Sequence, residues 1–141
     1  METAMYQRTV LIVDDEALIR MMLADFLEEE GYAIIEASNA LEAVIALETR
    51  KPDAVITDID MPGGINGLDL AQHIATCRQG LPVIVTSGGH LVGPEALPGR
   101  AKFIAKPYEP EHVLEILSDL IAQHQGHENS ATVMRTAGLR G

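Results

Sequence analysis

Apolar residues along this chain fall into two alternating rhythms. Short runs rich in β-branched side chains occur at 9–14 (TVLIVD), 32–37 (YAIIEA), 53–59 (DAVITDI), 82–87 (PVIVTS) and 101–106 (AKFIAK). Short apolar runs with little polar alternation predict strands buried on both faces. Longer stretches with near-helical spacing lie between them. The first, 17–29, repeats apolar residues at Leu18, Met21, Met22 and Phe26, and Gly31 supplies its stop. Asn39 and Glu42 read as a capping pair for the helix ALEAVIALETR, which Lys51-Pro52 ends. Asn66 reads as the N-cap of a helix over 67–78. Residues 88–100 hold two prolines and four glycines, which leaves room for at most a short helix around 91–97. A last helix is expected over 109–124, with Pro110 near its first turn. Five strands alternating with helical segments predict a doubly wound α/β fold, a five-stranded parallel sheet with helices on both faces.

In an open parallel sheet the site forms beyond the C-terminal strand ends. The polar residues there are the informative ones. Strand 1 ends in Asp14-Asp15-Glu16, strand 3 in Asp58 with Asp60 just past it, strand 4 in Thr86-Ser87, and strand 5 in Lys106-Pro107. Singly, each has an ordinary reading. Asp14 and Asp15 suit helix caps, Ser87 suits a cap, and Lys106 suits a solvated strand end. Jointly, carboxylates crowded at one edge repel unless a cation neutralises them. An oxygen-only donor set suits Mg2+. One carboxylate nucleophile, a divalent cation, a lysine and a hydroxyl suit phosphoryl transfer, with Asp58 attacking in line. Ser87 would then hydrogen-bond the new phosphoryl group.

Composition narrows the partners. The chain of 141 residues fits one domain, expected over 8–124, with a flexible tail over 125–141. It is 47% hydrophobic, and its net charge of -11 argues against holding nucleic acid unaided. Cys77 is the single cysteine, so no internal disulfide framework exists. No apolar stretch is long enough for a membrane span, and a soluble cytoplasmic protein is expected. The five histidines lack zinc-ligand spacing. No GxxxxGK[ST] occurs, and VDDEALIR stands where a dinucleotide fold needs a glycine-rich turn.

LIVDDE, TDIDMPGG, NGLDLA, PVIVTSGG and FIAKPY occur in one order and spacing across residues 10–108. In these motifs the chain resembles the receiver domain of two-component response regulators, in its stand-alone form. The resemblance implies the flavodoxin-like receiver fold with strand order 2-1-3-4-5. It implies Asp58 as phosphoacceptor and Mg2+ as cofactor, with Asp14, Asp15, Asp58 and the main-chain carbonyl of Asp60 as metal ligands. Ser87 resembles the switch hydroxyl, Phe103 the switch aromatic, and Lys106 the site lysine, followed by a cis Lys106-Pro107 bond. Phe103 also reads as plain core. Two departures stand out. The loop MPGGINGLDL is one residue longer than the commoner pattern, and the segment from Ser87 to Lys106 is short, with an irregular fourth helix.

The leading expectation is a phosphoryl-accepting switch with slow self-catalysed transfer and hydrolysis. Its donor would be a sensor histidine kinase or a histidine phosphotransfer protein. It would signal by binding a downstream protein that the sequence does not identify; a homodimer stays open. The alternative is a phosphorylation-independent binding module on the same fold, which the intact acidic residues, Ser87 and Lys106 disfavour. A small-molecule phosphatase would need a substrate pocket that no insertion supplies.

Overall fold

All five predicted strands form, and they lie parallel in the order β2-β1-β3-β4-β5. The computed structural model describes residues 7–89 and 91–124; the expected tail at 125–141 lies outside them. In chain order the elements are β1 (Thr9–Val13), α1 (Ala17–Glu29), β2 (Ala33–Ala37), α2 (Ala40–Arg50), β3 (Ala54–Asp58), α3 (Gly67–Cys77), β4 (Val83–Ser87) and β5 (Lys102–Ala105). A last helix covers 110–124. The segment between β4 and β5 holds only a 3-10 turn at Pro94–Ala96, in line with the irregular fourth helix expected there. Among the described residues no helix is long and apolar enough to cross a membrane.

Alternate strand side chains feed two separate cores, as a sheet covered on both faces requires. Val10, Ile12, Ile56 and Ile84 pack with Leu23 and Leu27 of α1 and with Val113 and Leu117 of the last helix. Leu11, Val13, Val55 and Val85 pack on the other face with Ala43 and Leu47 of α2 and Leu70 and Ile74 of α3.

Of the apolar repeat that marked α1 as a helix, only Phe26 packs against the core. Leu18 is 70% exposed, Met21 51% and Met22 61%, while Leu23, Ala24 and Leu27 are buried. Helical periodicity alone does not choose between two apolar stripes on one helix. The helix is apolar nearly all round its first turns, and the sheet took the stripe with the smaller residue, Ala24.

The helix ends follow local chemistry. After α1, Gly31 adopts φ +101°. Its N–H donates to the Glu28 carbonyl (3.0 Å) and the Tyr32 N–H donates to the Leu27 carbonyl (3.1 Å), a Schellman closure. Asn39 Oδ1 accepts from the Glu42 N–H at 2.9 Å. The Glu42 carboxylate does not return the bond to Asn39; it accepts from the N–H of Ser38 instead (2.8 Å). At α3 the box is complete: the Asp69 N–H donates to Asn66 Oδ1 (2.9 Å), and the Asn66 N–H donates to Asp69 Oδ2 (3.1 Å).

Gly67 is the residue that seats α3 against the sheet. Its N–H donates to the Ile59 carbonyl (3.0 Å). A Cβ here would collide with the main-chain carbonyl of Asp58 and stand 2.9 Å from Ile59 Cα. Both obstacles are backbone, so relief requires α3 to move away from the end of β3. Gly67→Ala is therefore expected to cost about 2–4 kcal/mol in urea unfolding, more than helix propensity, which favours alanine, would suggest. Unchanged or raised stability would show that α3 is free to shift.

Candidate functional site

The C-terminal strand ends bring most of the predicted residues together. Asp14 follows β1 and is 4% exposed. Its main-chain N–H donates to the Ala37 carbonyl (3.1 Å), which ties it to β2. Its Oδ1 accepts from the Glu16 N–H at 2.9 Å, a local turn ahead of α1, whose N-cap residue is Glu16 and which has no side-chain cap, so Asp14 is not the helix cap. Its Oδ2 accepts from Lys106 Nζ at 2.9 Å. Asp58, the last residue of β3, is also 4% exposed. Its Oδ1 lies 3.5 Å from Lys106 Nζ, an ion pair longer than an ordinary hydrogen bond.

Lys106 is no solvated strand end. Its side chain is 12% exposed and its Nζ also donates to Glu16 Oε1 at 3.2 Å. Its N–H donates to the Ser87 carbonyl (2.9 Å), extending the β4–β5 pairing, and the Lys106-Pro107 bond is cis, as the resemblance implied. Ser87 is 1% exposed. Its Oγ donates to Asp60 Oδ2 (3.0 Å) and accepts from the Gly89 N–H (3.1 Å). Phe103 lies beside Val85 in the β4–β5 register and packs, half-buried, against the α2–α3 core.

Two of the predicted carboxylates stand apart. Asp15 and Asp60 are exposed and line a cleft of about 570 Å³ with Ile59, Met61, Asn66, Leu68, Leu91 and Val92. The tight acidic group consists instead of Asp14, Glu16 and Asp58, each with a carboxylate oxygen within 4.8 Å of the others. Glu16 was visible at the end of strand 1, in VDDE, but was given no role there. Arg20 was passed over. Its Nη1 donates to the main-chain carbonyl of Asp14 (2.6 Å) and its Nε to Glu36 Oε1 (2.9 Å), which clamps the β1–α1 turn to β2.

The electrostatics follow from burial. Desolvation pushes Asp58 up to about 6, and the negative charge of Asp14 adds to this, while Lys106 pulls the other way. Burial works against the charge of Lys106, but its hydrogen bond to Asp14 and the charges of Asp14 and Asp58 hold its pKa above the usual lysine value. Tyr108, next to this group, is raised to about 12, first by burial and then by Asp14.

This donor set fits a hard divalent cation. Its ligand atoms are all oxygens, and Asp58 Oδ1 is buried without a hydrogen-bond partner. Three carboxylates share one ammonium, so net negative charge remains for a cation to neutralise.

The Response regulator receiver domain model matches residues 10–118. The chain belongs to the response regulator receiver domain family. It is 42% identical over 115 residues to the chemotaxis protein CheY of Thermotoga maritima, covering 79% of this chain and 95% of that one. It is 44% identical over 117 residues to the transcriptional regulatory protein PdtaR of Mycobacterium tuberculosis, covering 81% of this chain. The match spans about half of PdtaR, 53% of its length. Among solved structures, a CheY-like receiver domain protein from Methanospirillum hungatei JF-1 superposes with a TM-score of 0.77 at 25% identity, covering 86% of this chain and 99% of that one. The receiver domain of NtrX from Brucella abortus gives 0.71 at 29% identity, covering 80% and 98%. This receiver domain is thus a phosphoryl-accepting module of two-component signalling. Receiver domains generally hold Mg2+ at an acidic site.

The raised value at Asp58 has a consequence for stability. Below the ordinary carboxylate value of 3.8 the group is neutral whether the chain is folded or not. Between 3.8 and about 6 the folded receiver domain binds the extra proton, so its stability falls as pH rises through that window. Without divalent cation, Asp58→Asn should remove this fall and be more stable than the parent at pH 7. The gain should be about 1–2 kcal/mol after allowance for solvent screening at the site mouth. Urea unfolding from pH 4 to pH 7 checks this; parallel pH profiles for the two proteins would contradict it.

Proposed function

We propose that Asp58 is the residue phosphorylated in this receiver domain, with Asp14, Glu16 and Lys106 organising the charge around it. The observation that carries the reading is the Asp58 carboxylate: buried, without a hydrogen bond on Oδ1, and 3.5 Å from the Lys106 ammonium. Asp14 and Asp58 are the carboxylates best placed to hold Mg2+, with Glu16 at the rim and the Asp60 main-chain carbonyl as a further oxygen. Asp15, exposed at the same strand end, would be a further carboxylate ligand, as the resemblance implies. When bound, Mg2+ supplies positive charge to the equatorial oxygens of the transferring group.

An Asp58 oxygen attacks the phosphorus of a phosphohistidine. The new O–P bond forms as the P–N bond breaks, and the imidazole nitrogen leaves with the bonding pair. Lys106 Nζ holds charge on the phosphoryl oxygens, and its bonds to Asp14 and Glu16 keep it aimed. Ser87 Oγ then donates to a phosphoryl oxygen, and Phe103, two residues before Ala105 on the adjoining strand, turns inward as that end of β4 moves. The receiver unit runs over 8–124, and it signals by binding a protein target.

The exposed stripe of α1 supports a place for the donor. Leu18 and Met22 stand free of the core. Met22 and Ile19 line an apolar groove of about 440 Å³ with Pro107, Tyr108 and Pro110, which reaches Lys106 and Gly88 at the site mouth. An apolar strip of this kind next to the reacting carboxylate suits a helical face of a sensor histidine kinase or histidine phosphotransfer protein.

Two measurements test these readings. Incubation with Mg2+ and acetyl phosphate should add the mass of one phosphoryl group, absent in Asp58→Asn; a labelled Asp58→Asn would move the acceptor elsewhere. Replacing Leu18 and Met22 together by glutamine should slow transfer from a phosphohistidine protein that labels the parent by about tenfold or more. Labelling by acetyl phosphate should be unchanged and stability should stay within about 0.5 kcal/mol per site. Equal loss with both donors would place the defect in the site and not in docking.

A further inference from the structure

Ser87 has one hydroxyl proton, and that proton is already committed. It points to Asp60 Oδ2 at 3.0 Å, while the Gly89 N–H, at 3.1 Å, occupies an acceptor position on the same oxygen. The hydroxyl is buried to 1% exposure, so bulk water is poorly placed to exchange with these partners. Asp58 is paired with Thr86 in the β3–β4 register, which puts Ser87 one residue beyond it along β4. A phosphoryl group on Asp58 offers only acceptor oxygens. To bond one of them, Ser87 must withdraw its proton from Asp60.

We infer that the Asp60 carboxylate is a latch on Ser87: a positioning residue that holds the switch hydroxyl in the unphosphorylated arrangement and must release it for the phosphorylated one. The inference rests on Asp58 being the phosphoacceptor, and it goes beyond the main-chain role given to Asp60 above. The bond ties the β3–α3 loop to the end of β4, the two segments that would part when β4 moves. The acceptor is charged, which makes the bond stronger than one between neutral groups and gives the latch its weight. The phosphoryl group also adds negative charge nearby, so the same event that recruits Ser87 repels the group that held it.

A double-mutant cycle separates the latch from plain charge repulsion. Beryllium fluoride with Mg2+, a phosphoryl mimic, is titrated into the parent chain, Asp60→Ala, Ser87→Ala and the double variant. Removing a carboxylate favours an anionic ligand in either background. The latch adds a gain that requires Ser87. Asp60→Ala should therefore tighten binding by about tenfold more in the presence of Ser87 than in the Ser87→Ala background. Equal gains in the two backgrounds, or no gain, would overturn the latch. The same cycle read without ligand, by urea unfolding, should show Asp60 and Ser87 coupled by the same factor, about tenfold, in the folding equilibrium constant. Additive effects there would overturn it too, even if the Ser87→Ala chain binds the mimic too weakly to measure. Failure of the folded parent to bind the mimic at all would instead overturn the phosphoacceptor reading, and the latch with it.

Discussion

A carboxylate buried at the end of a central strand is the constraint from which the rest of the site follows. Asp58 is held at 4% exposure between β1 and β4, where an ionised group is costly unless opposite charge stands close. The nearest such charge is Lys106, which reaches across from the edge strand β5 and shares itself among three carboxylates. The result is a deliberate shortage of positive charge. The ammonium keeps its proton firmly, while the central aspartate is pushed up to about 6 by burial. Such a place can be completed by a divalent cation, and a phosphoryl group would meet the same positive charges there.

The fold explains why these residues can be so far apart in the chain and so close in space. The parallel order β2-β1-β3-β4-β5 sets the C-terminal ends of β1, β3 and β4 side by side, and the Lys106 N–H to Ser87 bond anchors the lysine one strand further out. The two cores on either face fix the strands so that the carboxylates cannot spread. Gly67 sets how near α3 can come to the end of β3, and Arg20 holds the turn that carries Asp14. These supports are outside the reacting group, yet they keep the carboxylates within reach of one another.

Much of this was legible along the chain, and the failures have identifiable causes. Strands flanked by turn residues were placed to within a residue or two, because unbroken β-branched runs have few other uses in a chain of this composition. Asn66 and Gly31 were legible as helix boundaries because capping and left-handed closure depend on local residue type. The buried face of α1 was not legible. Leu18, Met21 and Met22 share a helical rhythm with Leu23 and Leu27, and only the sheet decides which stripe it covers. Glu16 was visible but its role was not, because its approach to Lys106 depends on a contact 90 residues distant. The division between a tight group of Asp14, Glu16 and Asp58 and an outer pair of Asp15 and Asp60 likewise depends on where a turn points its side chains. Sequence order carries no such direction.

The central claim is that Asp58 is a carboxylate whose charge is undercompensated by the protein and completed by a metal ion. The direct measurement is the pKa of that side chain, followed by the 13C shift of its carboxyl carbon as pH is varied, with and without Mg2+, and assigned by comparison with Asp58→Asn. The account predicts titration near 6 in the absence of divalent cation and a marked fall when Mg2+ is present. An Asp58 that titrates near the ordinary 3.8 and does not respond to Mg2+ would contradict it.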